Sequence, residues 1–182
     1  GDFAQKPLPK RSFAAPDWYR EWCFLRHPRM EQYDLTQGSA LLHGTEVTLD
    51  EPGSPTFIGL RQQDFSGTVQ CVLELDKGEA GLTCYMSEQE HYEVALRRGE
   101  TGITALCRLN IGGVHQIQKE IPLTGNSARL VIRMEPTYYC FSVVTESGET
   151  HLGTGQSKYL SSEISSPFTG VILGLYAVGD NT

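Results

Sequence analysis

A two-residue period constrains this sequence more than any other feature. In Thr68–Leu75 the apolar residues Val69, Cys71, Leu73 and Leu75 alternate with polar or small ones. The same alternation recurs at Leu82, Cys84 and Met86, at Tyr92, Val94 and Leu96, and at Ile103, Ala105, Cys107 and Leu109. It returns at Leu130, Ile132 and Met134, then at Tyr139, Phe141 and Val143. Apolar residues at every second position share a face only when the backbone is extended, so each run reads as a half-buried strand. Turn formers separate the runs: Asp76-Lys77-Gly78, Arg98-Gly99-Glu100, Gly112-Gly113, Gly125-Asn126 and Ser147-Gly148. Short strands at this spacing imply an all-β sandwich or barrel. The one helical candidate is a short turn in Asp17–Phe24, with Asp17 as its cap after Pro16. No internal repeat points to a propeller or solenoid.

A chain of 182 residues is of single-domain size. At that length about 70% of the unfolded surface is buried on folding, so neither a metal nor a disulfide is required. The ends of the chain differ in character. Gly1–Pro16 holds three prolines with Lys6, Lys10 and Arg11, and reads as a linker or docking arm. Asp17–Thr182 reads as the sandwich. Gly1 in place of a methionine is what cleavage from a tag or a leader leaves, so the chain reads as a piece of something larger. The formal charge of −7 repels phosphate, which argues against nucleic acid and anionic membrane as partners. No apolar run approaches the roughly 18 residues of a spanning helix.

Cys23, Cys71, Cys84, Cys107 and Cys140 are odd in number and form no C-x-x-C pair. They read as free thiols on strands, a usage that suits a reducing cytoplasm.

Motifs for nucleophilic, zinc or nucleotide chemistry are absent from the sequence. One run, Glu74-Leu75-Asp76-Lys77-Gly78-Glu79, spells E-x-D-x-x-E. Three carboxylates projected from one strand could serve a jelly-roll glucanase, since paired carboxylates are the acid and nucleophile of glycoside hydrolysis. Lys77-Gly78 interrupts the strand, however, and the run reads more simply as a polar turn. Near the start, Trp18 and Trp22 lie among Tyr19, Phe24 and Tyr33. Flat aromatic faces suit sugar rings, which keeps an independent lectin-like carbohydrate-binding module open with Trp18 as its contact. Trp22, beside Phe24 and Leu25, reads as packing under the sandwich.

Four ordered segments resemble one family. They are Trp22-Cys23-Phe24-Leu25-Arg26-His27-Pro28, Thr56-Phe57-Ile58-Gly59-Leu60-Arg61-Gln62-Gln63, Glu79-Ala80-Gly81-Leu82 followed by His91-Tyr92, and Pro167-Phe168-Thr169-Gly170 running into Gly174-Leu175-Tyr176-Ala177. Together they resemble the C-terminal concanavalin A-like β-sandwich of glycoside hydrolase family 43, the β-xylosidase and α-arabinofuranosidase group. His27, Leu60 and Asp64 depart from its usual residues.

The resemblance implies two antiparallel sheets in a jelly roll and a longer parent. A five-bladed catalytic propeller in that parent would carry the hydrolysis, so no catalytic residue is expected in this chain. The sandwich would pack on the propeller, with a xylo- or arabino-oligosaccharide at the interface. By motif, Phe168 and Thr169 would border the substrate pocket. Arg61, Gln62 and Gln63 would meet carbohydrate or the neighbouring domain, because an Arg-Gln-Gln run is costly to bury without partners. The family usually closes with one more strand after Gly-Leu-Tyr-Ala; without it, a sheet edge stays open and favours association of copies. No cofactor is expected. A calcium site needs six to eight oxygens, and Asp17 and Asp180 are too few to make one.

Overall fold

The computed structural model describes Phe13 and residues 18–36, 38–160 and 170–179. A 3-10 turn at Trp18–Arg20 precedes β1 (Trp22–Cys23), so the expected helical turn over Asp17–Phe24 is shorter than its sequence suggested and gives way to strand. Next come β2 (Tyr33–Thr36), β3 (Ser39–Leu42) and β4 (Thr56–Arg61). The middle of the chain supplies β5 (Gly67–Glu74), β6 (Glu79–Tyr85), β7 (Glu90–Gly99), β8 (Gly102–Ile111) and β9 (Val114–Leu123). The last four are β10 (Ser127–Met134), β11 (Tyr138–Thr145), β12 (Gly148–Gln156) and β13 (Ile172–Val178).

These strands form two main antiparallel sheets and a separate β2–β3 hairpin. The wide sheet has the order β1-β4-β13-β6-β7-β8-β9. The narrow sheet has the order β12-β11-β10-β5. This is a sandwich, one of the two architectures that the alternation left open and the one that the resemblance implied. All six alternating runs are strands, and their apolar sides meet between the layers. Tyr92, Val94 and Leu96 of β7 pack with Cys107 of β8, and with Leu130, Ile132 and Phe141 from the narrow sheet. All seven are fully buried.

The narrow sheet covers the wide one unevenly. β5 stacks over β6, β10 and β11 over β7, and β12 over β8 and β9. Toward β13 and β4 the inner face is less enclosed: Leu60, Leu173 and Leu175 are half-buried, as are Val69, Cys71 and Leu73 of β5. Among the described residues, the outer edge of β5 pairs with no strand.

The outer face of the wide sheet has its own apolar layer. Residues 43–53 cross it as a strap, and Leu49 of the strap packs with Phe57, Tyr85, Ala95, Leu106 and Tyr176. Gly174 makes room for Phe57, since a Cβ there would lie 2.3 Å from that ring. The strap is tied at its start, where Gly179 N–H donates to Thr45 O at 2.8 Å and Thr45 bridges Val178.

All five cysteines are free, as their spacing predicted. Cys84 and Cys107 are buried in the core. Trp22 differs from expectation: it is only half-buried, on the edge strand β1, with the Phe13 ring 4.8 Å away.

Candidate functional site

The registers define a common end for both sheets. Arg61 lies opposite Ile172, which lies opposite Tyr85, and on the narrow sheet Gly67 lies opposite Met134. Arg61, Gln62 and Gln63 therefore sit where the chain passes from β4 to β5, crossing from one sheet to the other. Gln62 is fully engaged there. Its backbone N–H donates to Val171 O at 2.9 Å, its Nε2 donates to Asp64 O at 2.8 Å, and the Tyr139 hydroxyl donates to its Oε1 at 2.8 Å. Gln62 thus braces the connection against both sheets, while Arg61 and Gln63 face outward. Phe168 and Thr169 lie outside the described residues, as do the side chain of Trp18 and the residues Asp17 and Asp180.

The E-x-D-x-x-E run does not fall on one strand. Glu74 ends β5 of the narrow sheet and accepts a hydrogen bond from Asn126 Nδ2 at 3.3 Å. Asp76 is exposed in the following turn, and Arg98 Nε donates to its backbone oxygen. Glu79 opens β6 of the wide sheet. Lys77 and Gly78 carry the chain between layers, with Gly78 in the left-handed region at φ 68°. The glucanase reading needed three carboxylates on one face, and the turn disperses them.

Glu79 belongs to a cluster that the sequence did not single out. It lies on the outer face of the wide sheet, under the strap. Arg108 Nη2 is 2.5 Å from Glu79 Oε1, and Arg108 Nε donates to Glu93 Oε2 at 2.6 Å. The Tyr176 hydroxyl donates to Glu79 Oε1 at 2.7 Å. Glu93 and Arg108 are direct cross-strand partners on β7 and β8. A cavity of about 150 Å³ opens beside them, lined by Asp50, Glu79, Glu93, Arg108, His115 and Tyr176.

His91 is buried at the rim of this cluster. Its Nδ1 is 3.0 Å from Ser87 O, to which only an N–H can donate. Its Nε2 faces Asp50 Oδ1 at 3.2 Å and Glu93 Oε1 at 3.3 Å. Burial by itself would depress its pKa, but the two carboxylates outweigh burial and lift it to about 9. Asp50, on the strap, also receives Asn110 Nδ2 at 2.7 Å and lies 3.0 Å from His115 Nε2. Burial would raise the Asp50 pKa, yet these partners hold it below the ordinary aspartate value.

Every carboxylate here faces a cation, and a guanidinium-bound carboxylate is a poor proton donor. The arrangement holds the strap to the sheet and offers no free acid–base pair. Glu79, His91 and Tyr176 lie in the resemblance segments, but Glu79 read as part of a polar turn and no spacing in the sequence brings the three together.

A sandwich of unequal antiparallel sheets, with a strap held over a charge-paired cluster on its wide sheet, is the architecture of a concanavalin A-like domain. The family model for the β-xylosidase C-terminal concanavalin A-like domain matches residues 10–182, and the chain belongs to that family. It is 31% identical over 168 residues to a non-reducing end α-L-arabinofuranosidase, BoGH43B, of Bacteroides ovatus, which covers 88% of this chain and 32% of that protein. The solved structure of the Bacteroides ovatus xyloglucan-locus GH43B superposes with a TM-score of 0.76 at 30% identity, over 87% of this chain and 33% of that one. A xylan β-1,4-xylosidase of Bacillus halodurans shares the fold, with a TM-score of 0.81 at 22% identity over 98% of this chain and 38% of its own. The chain thus spans about a third of the length of these relatives.

Proposed function

We propose that this chain is the non-catalytic accessory sandwich of a longer family 43 glycoside hydrolase that acts on terminal xylosyl or arabinosyl residues. The observation that carries this reading is the match of nearly the whole chain to the family's C-terminal domain, combined with coverage of only a third of its relatives. The pairing of Glu79 and Glu93 with Arg108, and of Asp50 with His91, supports it. The sandwich packs on the catalytic propeller of the parent, Phe168 and Thr169 border the substrate pocket, and a xylo- or arabino-oligosaccharide lies between the two domains. The parent works in the cytoplasm, in keeping with five free thiols.

The test is Phe168→Ala in the full-length parent, assayed on short xylo- and arabino-oligosaccharides. A lower kcat/KM with the fold intact is the expected outcome. Unchanged kinetics on every such substrate would remove the pocket role.

A further inference from the structure

The direction in which the chain enters the sandwich identifies the face that meets its neighbour. Trp22 pairs with Leu60 and Cys23 with Gly59, so β1 runs antiparallel to β4 and starts at the end where β4 finishes. The backbone preceding Trp22 therefore arrives beside Arg61. In the relatives, the unmatched two-thirds of the chain precede this domain, and the family names it as C-terminal. Residues 18–21, the described chain directly ahead of β1, enter the sandwich at this end.

The same end presents an aromatic side chain that the described residues leave largely uncovered. Phe65 is 79% exposed in the connection from β4 to β5. That connection is not loose, because Gln62 ties it to Val171, Tyr139 and Asp64. Tyr138, at the start of β11, lies at the same end of the narrow sheet and is 39% exposed. Arg61 and Gln63 of the same connection are exposed as well. A single exposed apolar residue is ordinary. A phenylalanine held out on a braced connection, with an exposed Arg and Gln a few residues before it at the end where β1 begins, has the composition of an interface anchor with polar neighbours.

We infer that Phe65 is the anchor by which the sandwich docks on the preceding domain of its own parent chain, and that Arg61, Gln63 and Tyr138, exposed at the same end of the molecule, add to that contact. The inference rests on the accessory-domain reading and adds to it the surface used. The partner it fits is an apolar socket edged by hydrogen-bond acceptors, which the guanidinium of Arg61 would meet.

The test uses the full-length parent with Phe65→Ala, and with Val72→Ala as a control that is equally exposed but lies on the flank of β5. Hydrogen exchange of the amides of residues 62–66 should accelerate at least tenfold in Phe65→Ala and stay unchanged in Val72→Ala. Calorimetry should show the single unfolding transition of the parent separating into two. Identical exchange and a single transition in both variants would overturn the inference, because Phe65 would then face solvent. Loss of self-association in Phe65→Ala, with domain coupling intact, would overturn it in favour of a contact between copies. The accessory reading fails by a separate measurement, turnover of aryl xylosides or arabinofuranosides by the isolated chain, which leaves the Phe65→Ala result in the parent readable on its own.

Discussion

His91 shows at the scale of one residue how the tertiary fold changes chemistry. An exposed histidine titrates near 6.5, whereas His91, between Asp50 and Glu93, is lifted to about 9. Because the folded state holds the proton more tightly, the stabilisation is complete below pH 6.5. It fades as pH rises between 6.5 and 9 and is gone above. The difference is worth about 3 kcal/mol at most. His91→Gln should therefore lower Tm clearly at pH 6, and the gap from the wild type should close as pH approaches 9, as followed by thermal melts across that range. A gap independent of pH would show that the imidazolium charge is not what holds the strap. Arg108 makes the complementary case. Arg108→Met removes the guanidinium between Glu79 and Glu93 and leaves Glu79 without a cation, a loss that typically costs 3–5 kcal/mol, on the order of a third or more of a domain's stability. Urea unfolding should show that loss, and adding Glu93→Gln should restore part of it. None of this could be read from Glu79 or Glu93 alone. Their positions opposite apolar residues are those of ordinary solvent-facing side chains, and only the strap makes them buried.

Elements were the most legible scale. Every run with a clean two-residue period is a strand, and its apolar side faces the core. The runs that had no clean period went unread. β9, Val-His-Gln-Ile-Gln-Lys-Glu-Ile-Pro-Leu, is largely exposed at the edge of the wide sheet, so burial imposes no pattern on it. β12, Gly-Glu-Thr-His-Leu-Gly-Thr-Gly-Gln, owes its place to glycines that admit neighbours: a Cβ on Gly155 would lie 2.5 Å from the Tyr92 ring. β5 raises a different point. It is eight residues long, has no proline or lysine, and exposes Val72 at 69%. A flat edge of that kind is a template for another strand. Val72→Lys should reduce association of the isolated chain with little change in Tm, as read by light scattering against concentration. If association is undiminished, the open edge of β5 is not its cause.

At the scale of the whole molecule, the sandwich supplies positions rather than chemistry. Of the carboxylates that the sequence set side by side, Glu74 and Glu79 belong to two different sheets and Asp76 lies in the turn between them. The cluster that does form, around Arg108, is charge-paired throughout. The purified chain should therefore release no product from aryl β-xylosides or aryl α-arabinofuranosides. Turnover above that of a heat-denatured control, surviving repeated purification, would contradict the accessory role. By itself the sequence determined the fold class, the faces of six strands, the free state of the cysteines and, through its ordered segments, the family. Those properties depend on local periodicity and on residues a few positions apart. Tertiary structure alone decided that Gln62 is a brace and Phe65 an exposed projection, that a turn separates Glu74 from Glu79, and that His91 is held as a cation. The reason is physical: burial and charge depend on what lies across the sheet and above it, and strands adjacent in space here come from residues as far apart as Glu79 and Tyr176.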